Sequence, residues 1–197
     1  MHLQLSIIMD KTVKNISGRI KILLLNPKEF WRARKLSGEN QRQLLARYFF
    51  PLIILVSAAV FVGEYISSKH FYASYAVAKS GRTLILFTLQ YFISIFFTYE
   101  LIKPFGGKKD LPVVQKLVVY SLTPFLLVSL ISGLFPVLYA LNVLGLYGFY
   151  IFWVGVQENL DFPERKVSSY ILTAILVNFF MFSFLSIFLS KLITAYI

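Results

Sequence analysis

The chain has 197 residues, 57% of them hydrophobic, a mean hydropathy of +0.70, and only 15% Asp, Glu, Lys or Arg. A soluble domain carries about 25% charged residues and could not hide this much apolar surface in one core, so the apolar residues must face lipid. The net charge of +11 is concentrated before Tyr48, where ten of the twenty Lys and Arg lie; that is the pattern of a cytoplasmic flank, not of a nucleic-acid surface.

Residues 1–46 read as a basic segment ahead of the first span. Within it, residues 11–24 have the periodicity of an amphipathic helix: Val13, Ile16, Ile20, Leu23 and Leu24 share one face, Lys11, Lys14 and Lys21 lie opposite, and Arg19 sits at the edge. Such a helix binds the headgroup boundary, preferably of anionic lipid. The other reading is packing against the inner ends of the spans. A second helix follows, with Asn26 as cap, Pro27 at the first helical position and Glu29 closing a capping box. Phe30 and Trp31 then read as interface anchors, next to Arg32, Arg34 and Lys35. The run from Ile22 to Leu25 is too short for a signal peptide.

A helical span needs about 20 apolar residues to cross about 30 Å of hydrocarbon. The first span is expected near 47–67, with Pro51 in its first turn and Glu64 as its only charge between the flanking cations. The second is expected near 82–102. Leu117 to Gln157 is 41 residues without a charge, twice what one span needs. It must fold as a hairpin, broken at Gly133-Leu134-Phe135-Pro136, which gives spans near 117–133 and 136–157. The fifth span is expected near 168–190. Pro124 interrupts the third, with Ser121 and Thr123 available to the freed carbonyls. Close helix approach is expected at Ala59 and Gly63, Ser129 and Gly133, and Gly145 and Gly148. With the N-terminus inside, the inner segments hold sixteen Lys and Arg and the outer ones four, which predicts N-in and C-out.

Little in the sequence points to catalysis. His2 and His70, the only histidines, fall on opposite sides of the membrane in this topology. Glu158, Asp161 and Glu164 read as a solvated acidic loop, and Glu100 as an ion-pair partner of Lys103. No metal or cofactor is expected. The polar residues deepest in the spans are Gln90, Asn142 and Asn178. They read either as interhelical hydrogen-bonding residues or as one intramembrane polar site.

The order of several short motifs resembles the Yip domain family, named for Ypt/Rab-interacting proteins, in its shorter bacterial form. They are Asn26-Pro27-Lys28-Glu29-Phe30-Trp31, Tyr48-Phe49-Phe50-Pro51-Leu52, Phe105-Gly106-Gly107-Lys108, Tyr120-Ser121-Leu122-Thr123-Pro124, and Leu144-Gly145-Leu146-Tyr147 through Trp153-Val154-Gly155. Together they cover roughly residues 20–192. Pro27, Pro51, Gly106, Gly107, Tyr120, Pro124, Tyr147 and Gly155 are the fold positions the resemblance marks. It implies a five-helix bundle with a cytoplasmic N-terminus in a bacterial cytoplasmic membrane. Eukaryotic members are implicated in vesicle traffic and contact small prenylated GTPases; their Asp-Leu-x-Gly-Pro element does not occur here. The expectation is therefore an all-α, five-span, non-enzymatic membrane protein that organises membrane or acts as an adaptor, with the lipid bilayer as partner. The alternative is a small-solute or lipid transporter using Gln90, Asn142 and Asn178.

Overall fold

A computed structural model describes residues 16–35 and 40–196, with side chains as far as Leu192. Every regular element among them is helical. Two short helices, α1 (Ile16–Leu25) and α2 (Pro27–Lys35), precede five long ones: α3 (Gln41–Ser67), α4 (Ala73–Ile102), α5 (Leu111–Leu134), α6 (Pro136–Asn159) and α7 (Glu164–Tyr196). All five long helices are long and apolar enough to cross a membrane. At about 1.5 Å per residue the shortest is still about 36 Å, so each projects beyond the hydrocarbon.

Local chemistry sets the ends. Gly106 adopts φ +79° after α4, and the Gly106 and Gly107 N–H groups bond the Lys103 and Ile102 carbonyls at 2.9 and 3.0 Å. This left-handed cap is open to glycine at little steric cost. Asp110 caps α5 by accepting from the Val113 N–H at 3.1 Å. The α5–α6 hairpin turns where Gly133 to Pro136 predicts it: α5 stops at Leu134 and Pro136 opens α6.

Three boundaries differ from the sequence expectation. The first span, α3, begins at Gln41, so Pro51 lies well inside it; a π turn at Leu45–Phe49 precedes the proline, where the α-pattern would require its missing N–H. Helix α4 begins at Ala73, which draws Lys79 into the helix instead of a loop and sets Arg82 inside the helix instead of at its edge. The first half of α6, Pro136–Leu146, is a 3-10 helix, and only Tyr147–Asn159 is α.

Helix α5 is central and packs against α1, α3, α4 and α6; α7 closes the bundle against α4 and, more lightly, α6. The buried residues of α5 run from Val114 to Leu126, so packing is tighter at the end carrying α1 and α2 (here the basic end) than at the far end. Backbone meets backbone at two of the expected glycine positions. A Cβ on Gly63 would overlap the Gly133 carbonyl, and one on Gly148 would overlap that of Ser121.

The basic end is built on aromatics. Phe30, Trp31 and Tyr48 pack on the Tyr120 ring with centroids 4.7, 5.6 and 5.3 Å away. Trp31 is 1% exposed and donates its indole N–H to the Ile151 carbonyl at 3.1 Å, and Gly155 leaves the space its ring occupies. The sequence expectation of Trp31 as an interface anchor is thus overturned: burial against Tyr120 and Leu117 removes its ring from the surface. Arg34 is also buried, its guanidinium 5.5 Å from the Phe30 ring centre and 5.8 Å from that of Tyr120. On α1, Leu23 is buried and Ile16, Ile20 and Leu24 pack on the core, so its apolar face meets the bundle. Lys21 is exposed, whereas Lys11, Lys14 and Val13 lie outside the described residues.

Candidate functional site

Helix α4 carries Gln90, Ser94 and Thr98 at intervals of four, which places three polar side chains in one stripe on the bundle-facing side. All three are buried. Across from them α7 carries Asn178, and α5 carries Ser121. Gln90, Ser121 and Asn178 lie close to the midpoints of their helices. They line one chamber of about 50 Å³, otherwise walled by apolar and aromatic side chains such as Phe125, Phe152 and Phe182.

Part of this polar set is satisfied internally. The Gln90 amide donates to Ser94 Oγ at 2.9 Å and to the Asn178 carbonyl at 3.4 Å. The Asn178 amide donates to the Ala174 carbonyl at 2.8 Å and to Thr98 Oγ1 at 3.3 Å. Tyr170 holds the Thr98 carbonyl at 2.9 Å. One end of each amide remains without a partner, Gln90 Oε1 and Asn178 Oδ1, and so does Ser121 Oγ. A buried polar atom without a hydrogen bond costs about 1–3 kcal/mol, so the chamber favours an occupant that hydrogen-bonds to these three groups. Water needs about 10–15 Å³ of such space per molecule, so the volume suits a cluster of three or four. The lining carries no ionisable side chain.

The three polar residues singled out in the sequence do not all meet. Gln90 and Asn178 do. Asn142 lies apart, accepting from Ser132 Oγ at 3.0 Å in a wider space nearer the far end. Asn142 comes only six residues after Pro136 and so sits nearer the far end than the mid-helix Gln90 and Asn178, and the 3-10 winding of this half of α6 adds a change of face relative to an α-helix. Ser94, Thr98 and Ser121 escaped the sequence reading as site residues, although a Gln-Ser-Thr stripe at i, i+4, i+8 in an apolar span was there to be seen.

The acidic residues are all engaged structurally where their contacts are described. Glu158 gathers Arg32 at 3.2 Å and Lys28 at 4.0 Å, and its backbone carbonyl accepts from Lys35 at 3.0 Å. Glu100 pairs with Lys109 at 2.8 Å, not with Lys103 as the sequence spacing predicts, because Lys103 belongs to the C-terminal cap of α4 while the chain folds Lys109 back over Tyr99. Glu64 pairs with Lys79 at 2.6 Å across α3 and α4.

The positions marked by motif cluster at the basic end. Tyr120, Gly155 and Pro27 surround Trp31 or its helix, and Tyr147 donates its hydroxyl to the Leu24 carbonyl at 2.8 Å. Gly106 and Gly107 fit against Pro163 and Phe162 of the α6–α7 connection. Pro124 follows Thr123, which Tyr48 holds at 3.0 Å. Comparison with curated proteins and with solved structures finds no match. The sequence profile of the Yip1 domain does match, over residues 20–187, most of the chain. With its five span-length helices and this motif-bearing core, the chain belongs to the Yip1 domain family, as an integral membrane protein of the Yip type.

Proposed function

We propose that the protein organises membrane without catalysis, its basic end in the cytoplasm, by holding a cationic helical hairpin in the inner leaflet. The seat of that hairpin carries the reading. Trp31 to Ile151 and Tyr147 to Leu24 are hydrogen bonds that fasten α2 and the end of α1 to the side of α6. Tyr147 lies about eleven residues before Glu158, roughly 16 Å of helix, so the α1–α2 corner sits well below the level of the Glu158 ion pairs. Leu25 at that corner is exposed, while Lys21, Lys28, Arg32 and Lys35 lie along the two helices. An apolar corner below the headgroups with cations above it occupies area in one leaflet only and attracts anionic lipid. The sixteen-to-four distribution of Lys and Arg supports the orientation. The midplane chamber, at about 50 Å³, is read as hydrated packing, because it is sized for water and not for a larger solute.

The test is reconstitution of the full chain into large vesicles. On anionic vesicles the protein is expected to produce smaller, more curved products, less so at high salt, and Trp31→Ala is expected to weaken the effect by loosening the hairpin. Unchanged vesicle size at high protein density on anionic lipid overturns the proposal.

A further inference from the structure

The space beside Asn142 is a vestibule of about 450 Å³ at the far end, between α3, α4, α5, α6 and α7. Two cations line it, Lys79 and Arg82. Lys79 is paired with Glu64 at 2.6 Å. Arg82 has no carboxylate partner among the described residues. Its Nη2 donates to the Ser186 carbonyl at 2.7 Å and to Ser186 Oγ at 3.1 Å, while its Nε is buried and donates to nothing. The lined space therefore holds one cation in excess of its carboxylates.

A partly buried guanidinium satisfied only by neutral acceptors is costly, and ionisable groups in a bilayer are otherwise paired or placed for a ligand. The rest of the lining is largely apolar, with a few side chains that can donate hydrogen bonds. Ser129 and the largely exposed Tyr139 line its wall, and Asn142, whose Oδ1 accepts from Ser132, keeps its amide N–H groups to donate. A cation whose N–H groups match oxyanions bidentately, ringed by hydroxyl and amide donors, is a constellation for phosphate. The floor closes the site below. Phe182 packs on Phe125 at 5.5 Å and on Phe87 at 6.2 Å, and Phe125 and Phe182 also line the chamber beneath, so a polar group entering the vestibule stops there.

We infer that this vestibule binds a singly charged phosphate group, with Arg82 as its counter-ion and Ser129, Tyr139 and Asn142 as hydrogen-bond donors. Depth favours a phospholipid headgroup as its source. Arg82 lies nine residues into α4, about 13 Å from its start, and α4 overshoots the hydrocarbon by about 15 Å in all. With that overshoot shared between the two ends, Arg82 lies about 6 Å below the hydrocarbon boundary, at a depth that a headgroup drawn into the vestibule reaches from the lipid side. The site lies at the opposite end from the hairpin, and neither proposal depends on the other.

Native mass spectrometry of the full chain in detergent, titrated with phosphatidylglycerol and separately with inorganic phosphate, tests it. The wild type is expected to retain one phosphatidylglycerol that survives mild activation. Arg82→Gln is expected to lower that affinity by about tenfold or more, the loss of one charge-assisted pair. Lys166→Gln, an exposed lysine outside both the vestibule and the hairpin, is expected to leave it unchanged. Asn142→Leu and Ser129→Val, which keep the cation, are expected to weaken binding less, and they serve if Arg82→Gln does not fold. Displacement of the lipid by millimolar inorganic phosphate would support the same chemistry with a soluble source. Retention of the lipid at equal affinity in Arg82→Gln, or in both lesser variants where that one fails to fold, overturns the inference, as does binding of neither probe by the wild type.

Discussion

Trp31 is the side chain on which the basic end depends most. It fills the space left by Gly155, packs on Phe30 and Tyr120, and donates to the Ile151 carbonyl. Trp31→Ala is expected to cost about 3–5 kcal/mol, the range for truncating a buried aromatic. Trp31→Phe, which keeps much of the ring but removes the indole donor and leaves the Ile151 carbonyl with its intrahelical bond alone, should cost about 0.5–1.5 kcal/mol. Thermal unfolding in detergent distinguishes the two, and equal small losses would mean that α2 is not held as described. At the chamber, Gln90→Leu and Asn178→Leu remove side chains that share one space and bond neighbouring members of the same polar stripe, Ser94 and Thr98; the Gln90 bond to Asn178 goes to its backbone carbonyl, which Asn178→Leu keeps. Their double variant should depart from additivity by about 0.5 kcal/mol or more, whereas Asn142→Leu should add independently to either. Strict additivity for all three pairs would show that Gln90 and Asn178 do not act together.

At the scale of the element, helix ends and windings decide which residues meet. The cap at Gly106 is a case where a single backbone angle positions a connection. With φ at +79°, it ends α4 and sets residues 103–110 against Phe162 and Pro163. Gly106→Ala should destabilise by about 1–2 kcal/mol through left-handed strain alone, since no neighbour lies close enough to clash with the added methyl. Gly107→Ala should also destabilise, but sterically, because its new Cβ meets the Phe162 ring. Combining Gly107→Ala with Phe162→Leu should then recover part of the Gly107→Ala loss, and no recovery would rule out that steric account. The 3-10 half of α6 has a comparable influence on the far end. It turns Asn142 towards Ser132 and the vestibule, away from Gln90 and Asn178.

For the whole molecule, the contrast between the two ends matters most. The basic end is closed by buried aromatics around Tyr120, whereas the far end keeps a vestibule and a guanidinium without a carboxylate. Helix α7 is peripheral, with 17% of its most apolar window buried against 39% for α4, so it is the span with most freedom to meet lipid. The proposed orientation is checked by fusing a reporter active only outside the cytoplasm. Signal is expected after Ile197 and none near Gly106; the reverse pattern would refute the cytoplasmic placement of the basic end.

Much of the architecture was legible because the bilayer imposes a simple rule: about 20 apolar residues per crossing, with charges and Gly-Pro breaks between. That rule yields five spans, and the 41-residue uncharged stretch splits at Gly133 to Pro136 as its length demands. It says nothing about where a polar side chain points, because one residue turns a helix by about 100° and a change of winding moves every later side chain to another face. Depth along the spans favours a meeting of Gln90 with Asn142 over one with Asn178, yet it is Asn178 that Gln90 meets while Asn142 lies apart. Composition likewise marked Trp31 and Arg34 as surface residues, since aromatics beside cations are the usual mark of an interface. Only the tertiary structure put them inside, because Gly155 on a helix more than a hundred residues later leaves a gap of the right shape. Arg82 was hidden for the opposite reason. Its charge placed it at the outer edge of the second span by the hydropathy rule, and only the helix that starts at Ala73 carries it into the bundle beside Ser186. Hydropathy is a sum over a segment and survives such changes of detail; a site is a convergence of directions, which packing alone decides.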